Sequence, residues 1–316
     1  SDAGWSPDSR LSFGPDFVGA DSSPLSTNGA VPLQVADLDG DGYLDVIVVG
    51  HRTSASCEEG QSAIFWGGPS GHGDGLMTVL ETPAARWVEV VDLDNDGHDD
   101  LVFALMADDD CGTLTGDSVP SRIWWNDGAR TFVTSSLLKI HGALRVDAAD
   151  MDGDGHTDLV FCRQSDFTLS EPDHVTSLIV WNHSSARSDF NLPEYTEFAT
   201  RACADQAVAD LNDDGLLDLV FANYRDGNDH TPASLVYLNN GLRMGSVTPI
   251  SLPTHAAGSV LVVDLNEDDH PEVIFGAYTA AQAFQEAEDR ARNYKTFVVL
   301  FGSQRTLRVA RLSFRI

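Results

Sequence analysis

Hydrophobic residues in this chain come in short, dense runs, not at helical intervals. VPLQVA (31–36) leads into a stretch of alternating aspartates, and DVIVVG (45–50) leads out of it. The arrangement returns with WVEVV before 92 and LVFAL after 100, and again with LVF after 158, LVFAN after 218 and VIFGA after 272. Runs this short, rich in Val, Leu, Ile and Phe and bounded by Asp and Gly, read as strands. A third run follows a variable loop in each repeat: AIFWGG from Ala63, RIWWNDG from Arg122, SLIVWN from Ser177, SLVYLNN from Ser234 and FVVLFG from Phe297. A turn rich in Gly, Asn and Ser leads to a weaker fourth run, such as TFVTSSLL from Thr131. The pattern predicts four antiparallel strands per repeat.

The polar stretch between the first two strands is an acidic nonapeptide. It reads DLDGDGYLD at Asp37–Asp45, DLDNDGHDD at Asp92–Asp100, DMDGDGHTD at Asp150–Asp158 and DLNDDGLLD at Asp210–Asp218, with a decayed copy, DLNEDDHPE, at Asp264–Glu272. First residues are 55, 58, 60 and 54 positions apart. Calcium takes six to eight oxygens at roughly 2.3–2.6 Å, and positions 1, 3, 5 and 9 supply side-chain oxygens. These are Asp37, Asp39, Asp41 and Asp45; Asp92, Asp94, Asp96 and Asp100; Asp150, Asp152, Asp154 and Asp158; and Asp210, Asn212, Asp214 and Asp218. Position 7 is expected to add a backbone carbonyl, from Tyr43, His98, His156, Leu216 or His270. Glycine at position 6 (Gly42, Gly97, Gly155, Gly215) suits a sharp turn with φ > 0. Without a cation, carboxylates packed this closely repel one another. The fifth copy keeps the oxygens of Asp264, Asn266, Asp268 and Glu272, but Asp269 replaces the glycine. Four calcium ions are therefore expected, and the fifth copy offers a weaker site. An EF-hand loop begins the same way but needs a glutamate at position 12 and flanking helices. Here position 12 is Val48, Phe103, Phe161, Phe221 and Phe275, so the loop joins strands.

Four-stranded repeats of this period predict an all-β fold, a β-propeller of five recognisable modules with a ring size between five and seven. The modules run over 31–86, 87–144, 145–204, 205–258 and 259–316 of one domain, and residues 1–30 read as a strand or closure segment. One stretch, Thr279–Lys295 (TAAQAFQEAEDRARNYK), carries helix propensity instead and predicts a helical insertion.

The formal charge is −30, with 49 acidic against 19 basic residues. Five calcium ions would leave about −20, so nucleic acid and anionic membrane are poor partners. No stretch reaches the length of a transmembrane span, so the chain is not expected to be an integral membrane protein, and the start at SDAGW reads as a processed mature form without a signal peptide. Calcium loops of this kind fill reliably where calcium is millimolar, which points to a secreted, extracellular or periplasmic place. Asn182, in NHS, matches a glycosylation site. Cys57 and Cys111 hold nearly the same place in successive modules and are placed to bridge them. Cys162 and Cys203 read either as a second pair or as free buried thiols.

The motif D-x-[DN]-x-D-G-x-x-D between two strands resembles the integrin-like FG-GAP/VCBS repeat family, from Val31 to the C-terminus. FWGG at Phe65 and FGAY at Phe275 are faint echoes of the family's own words. The resemblance implies structural calcium loops on one face and functions as varied as adhesion, sugar binding and polysaccharide processing. Seven blades are usual in such relatives, and five modules depart from that. Ligands are expected at the other ends of the modules, where loops carry His51, Arg52, Arg163, Asn223, Tyr224, Arg225 and Tyr278. These residues read either as a polar, partly basic and aromatic entrance or as independent surface residues. The leading functional reading is a calcium-stabilised extracellular module that binds glycan or protein. The alternatives are a polysaccharide lyase, with Tyr224 or His51 as base, and a subunit of a larger extracellular assembly.

Overall fold

The computed structural model describes residues 30–50, 60–69, 72, 77–106, 119–128, 130, 132, 134–165, 175–191, 193–227, 229–265, 267, 270–278, 294–302 and 306–312, with backbone alone at 30–31, 134, 277–278, 294–302 and 306–312. Among the described residues, twenty strands form five four-stranded antiparallel sheets, each a meander in chain order. The first sheet holds β1 (Ala30–Ala36), β2 (Asp45–Gly50), β3 (Gln61–Phe65) and β4 (Met77–Glu81). The second holds β5 (Ala85–Val91), β6 (Asp100–Leu105), β7 (Arg122–Trp125) and β8 (Thr134–Leu137). The third holds β9 (Ala143–Ala149), β10 (Asp158–Arg163), β11 (Ser177–Trp181) and β12 (Glu194–Phe198). The fourth holds β13 (Cys203–Ala209), β14 (Asp218–Asn223), β15 (Ser234–Tyr237) and β16 (Ile250–Leu252). The fifth holds β17 (Ala257–Val263), β18 (Glu272–Tyr278), β19 (Tyr294–Gly302) and β20 (Thr306–Leu312).

The sheets stack through their first strands: β1 packs on β5, β5 on β9, β9 on β13 and β13 on β17. A hydrophobic core fills each gap between successive sheets. Second strands are covered on both faces, which is why they read as continuous apolar runs; β6 and β14 are buried along their whole length. An outer strand such as β4 alternates and buries only Leu80 deeply. The position-12 aromatics Phe103, Phe161, Phe221 and Phe275 are all 0% exposed. Each contributes about 1.5–3 kcal/mol by burial, a role an EF-hand glutamate could not fill.

The expected closed propeller is corrected here. Among the described residues no sheet closes into a ring or curls, and the packing runs in series. Among the described residues nothing comparable joins β17 to β1. The end strands instead leave apolar side chains in solvent: Leu33 is 63% exposed and Val35 52% on β1, and Leu261 is 56% exposed on β17. Repetition specifies how each sheet meets its successor. It does not specify that the first meets the last.

At the ends of the sheets away from the acidic loops, buried hydroxyl pairs link third to fourth strands. Ser62 and Thr82 lie 2.6 Å apart, Ser177 and Thr200 2.9 Å, and Ser234 and Thr254 2.7 Å. Each first strand carries a register shift near its start. In four sheets a left-handed residue precedes it: Ala84 (φ 56), Gly142 (φ 71), Ala202 (φ 40) and Ala256 (φ 45). Such bulges re-aim the side chains that follow.

Cys162 and Cys203 form a disulfide, with Cα atoms 5.5 Å apart, joining the third sheet to the fourth. The pairing alternative holds for these two. Cys57, Cys111, residues 1–29 and residues 279–293 of the expected helix lie outside the described residues. The last two residues assigned to that helix, Tyr294 and Lys295, instead open β19.

Candidate metal loops

Each nonapeptide joins the first and second strands of its sheet and folds around its own carboxylates. The position-1 aspartate accepts the amide of position 5 on one oxygen, at 3.1 Å for Asp37 and Asp150 and 3.2 Å for Asp92 and Asp210. Its other oxygen accepts the position-6 glycine amide, at 2.8–2.9 Å in all four intact loops. Gly42, Gly97, Gly155 and Gly215 have φ between 83° and 89°, as the turn requires. The position-5 aspartates Asp41, Asp96, Asp154 and Asp214 accept the amides of Tyr43, His98, His156 and Leu216 at 2.9 Å.

The result is three tight acidic triads. Ligand oxygens of Asp37, Asp39 and Asp41 lie within 4.8 Å of one another, as do those of Asp92, Asp94 and Asp96, and of Asp150, Asp152 and Asp158. Oxygens about 2.3–2.6 Å from one ion span at most about 5 Å, so the donor set fits a hard cation. In the fourth loop Asn212 takes position 3, and its Oδ1 is buried with no hydrogen-bond partner. An orphan oxygen at a ligand position is what a bound cation would satisfy. In the fifth loop Asp264, His270 and Glu272 are described, whereas Asn266 and Asp268 lie outside the described residues. His270 Nδ1 meets Asp213 of the fourth loop at 2.5 Å.

Position 9 has a second duty. Asp45, Asp100, Asp158 and Asp218 are fully buried, and Glu272 nearly so. One oxygen accepts the position-2 amide, from Leu38, Leu93, Met151, Leu211 or Leu265, at 2.7–3.2 Å. The other accepts an amide just beyond the third strand, from Gly67, Asn126, Asn182 or Asn239, at 2.7–2.8 Å. Burial raises the Asp45 carboxyl, and takes Asp100 and Asp158 to about 7 and Asp218 to about 6, against the opposing pull of the two amides. A cation beside them would hold them ionised.

Side chains from the next sheet complete the first three loops. Asn126, Asn182 and Asn239 donate Nδ2 to the carbonyls of Leu38, Leu93 and Met151 in the preceding loop, at 2.7, 3.0 and 2.8 Å. Asn182 is thereby 0% exposed, which corrects its reading as a glycosylation site. Arg130, Arg187 and Arg243 likewise reach the preceding loop. Sequence reasoning missed both sets. Their trace is an Asn at the end of the third strand followed by Arg four or five residues later (WNDGAR, WNHSSAR, NNGLR). Position 4 was missed too: Asn95, Asp213 and Glu267 adopt φ of 57°, 58° and 60° there.

At the other ends of the sheets the expected ligand residues are less uniform. Arg163 donates to the carbonyls of His141 (2.7 Å) and Thr176 (3.2 Å). Asn223 is buried and divides its amide between Arg201 N and Ala233 O. Tyr224 meets His230 edge-on at 5.6 Å, next to Arg225 and the Arg201–Asp226 ion pair. Tyr278 ends β18, and His51 and Arg52 lie outside the described residues.

The FG-GAP-like repeat pattern matches residues 37–103, 92–161 and 210–275, more than half of the chain. The chain belongs to the FG-GAP-like repeat family. Each FG-GAP-like match opens on a position-1 aspartate and closes on the buried position-12 phenylalanine of the next loop. Among solved structures, this FG-GAP-like chain is similar to the V. cholerae biofilm matrix protein Bap1, with 14% identity and a TM-score of 0.51 over 89% of this chain and 38% of that one. It thus spans well under half of that structure. A weaker likeness is to BBS1N in complex with ARL6DN, at 10% identity and a TM-score of 0.39 over 89% and 82% of the two chains. No curated protein sequence matches the chain. No helix among the described residues is long and apolar enough to cross a membrane.

Proposed function

We propose that the protein is an extracellular scaffold and binding module whose loops carry structural calcium and whose ligand is a glycan or another protein. The observation that carries this reading is the set of three acidic triads, each built into the joint between two strands. Calcium there would brace the sheets rather than sense a signal, because the position-12 residue is core. The disulfide and the likeness to a biofilm matrix protein favour an extracellular place. For the ligand, Tyr224 and Arg225 combine stacking and hydrogen-bonding groups at the end opposite the calcium loops.

Two measurements test this. Calorimetric titration with calcium should give four ions per chain; fewer than three would remove the metal reading. A glycan array should show binding that falls at least tenfold in Tyr224→Ala. An array with no bound glycan would leave the protein-scaffold form of the proposal alone standing.

A further inference from the structure

Arg130, Arg187 and Arg243 stand in the turns after the third strands of the second, third and fourth sheets, and each plugs into the sheet before it. Arg130 pairs with Asp39 through Nε and with Asp41 through Nη2 at 2.7 Å. Arg187 pairs with Asp94 at 2.5 Å and Asp96 at 3.3 Å, and Arg243 with Asp152 at 2.8 Å. The receiving sheet builds the same seat each time. The guanidinium lies over the indole of Trp66, Trp125 or Trp181, with centroids at 5.4, 5.1 and 5.4 Å. The Trp66 and Trp181 indoles donate to Thr78 and Thr196, whose hydroxyls donate in turn to the carbonyls of Arg130 and Arg243, both at 3.1 Å.

The carboxylate oxygens are divided. In all three loops Oδ1 of the position-3 aspartate accepts the position-5 amide, while Oδ2 takes the arginine. The position-3 side chains are 7%, 10% and 9% exposed. A carboxylate so buried requires a partner charge. In the fourth loop position 3 is the neutral Asn212, and among the described residues no arginine sits on it.

We propose that each arginine is a resident counter-cation, which holds its loop closed in the absence of metal and sets that loop's calcium affinity. The inference rests on the calcium reading above. Guanidinium and metal draw on the same carboxylates and repel each other, so the arginine stabilises the metal-free protein more than the loaded one. By linkage it must weaken calcium binding by the same factor. A unit charge a few ångström from a divalent ion, screened as in water, gives a factor of about ten. Sheet stacking thus survives low calcium, at lower affinity.

The test uses the full chain with Arg187→Gln and Arg187→Lys. Thermal melts in EDTA and in saturating calcium, with calorimetric calcium titrations, give both arms of the cycle. Arg187→Gln is expected to lose more Tm in EDTA than in calcium and to bind one calcium ion about tenfold more tightly. Arg187→Lys, which keeps the charge, is expected to keep its affinity within about twofold of the parent. If Arg187→Gln folds only in calcium, that supports the proposal. If it folds in neither medium, Arg243→Gln must show the same two differences. Unchanged or weaker calcium binding in the Gln variants, or an equal Tm loss in both media, overturns the counter-cation role while leaving the calcium reading intact. A parent protein that binds no calcium overturns the reading itself.

Discussion

The acidic loops and the first strands both line up carboxylates from successive sheets, yet they treat them in opposite ways. At the first three loops the same bonds recur from sheet to sheet: a position-2 amide and a post-strand amide on the position-9 carboxylate, and an Asn and an Arg from the next sheet. Along the first strands the composition changes at every step. Trp87 and Glu89 on β5 face Arg145 and Asp147 on β9, then Asp205 and Gln206 on β13. Arg145 stacks on Trp87, 3.9 Å from its centroid, and pairs with Asp205 at 2.9 Å. Asp205 also accepts the Val260 amide at 3.0 Å. Arg145 Nε and Gln206 Oε1 are buried without a partner among the described residues. Desolvation raises Glu89 to about 7 and Asp147 to about 6, and lifts Asp205 as well. Repetition marks the bonds that make the stack; the unrepeated seam marks where this chain departs from its own template.

If that contrast is real, the two regions should answer to different agents. Calcium withdrawal should act on the loops and produce the largest effect. Each loop whose Kd lies a hundredfold below the free calcium concentration adds about 2.7 kcal/mol to stability. Several such loops should move the melting transition by more than any single substitution. A melt in EDTA that coincides with the melt in calcium would erase the distinction between the two regions.

The disulfide offers a smaller cut on the seam's side. Cys203 opens β13 two residues before Asp205, and Cys162 is the last residue but one of β10. Replacing both by alanine should cost about 2–4 kcal/mol in urea denaturation and leave the number of bound calcium ions unchanged. A variant that loses a calcium ion as well would show that loops and seam are mechanically one.

The loops were the legible part of this molecule. Their aspartate spacing, the strands on either side and the hydrophobic position 12 are local, and local patterns carry them into the structure intact. Closure is not local, and among the described residues the stack is open, because nothing in a repeat distinguishes an end sheet from a middle one. Nor do Ala84, Ala202 and Ala256 announce their left-handed turns, since alanine has no preference for φ > 0. Asn182 satisfies a three-residue sequon while its amide is sealed between two carbonyls. The arginines were within reach as a repeat, but their spacing from the Asn slips by one residue at Arg187, which hides the period.

The finest separation of the two regions is by pH, in saturating calcium, where metal bound as proposed would keep the loop carboxylates ionised. Glu89 titrates near 7 in the fold against an ordinary 4.5, because burial and the neighbouring Asp147 disfavour its charge. Between those two values the folded protein holds a proton that the unfolded chain has released. Stability therefore falls as pH rises through the window, and the full cost is present above 7. Glu89→Gln removes the charge and keeps the shape, with an amide oxygen still able to accept the long hydrogen bond from Trp87 (3.4 Å). The full shift is discounted for solvent screening and for sharing with Asp147. The variant should then be more stable than the parent by about 1 kcal/mol at pH 8 and nearly equal to it at pH 5. Denaturation curves at the two pH values check this. A variant destabilised equally at both would place Glu89 among the structural braces and dissolve the difference between seam and loops.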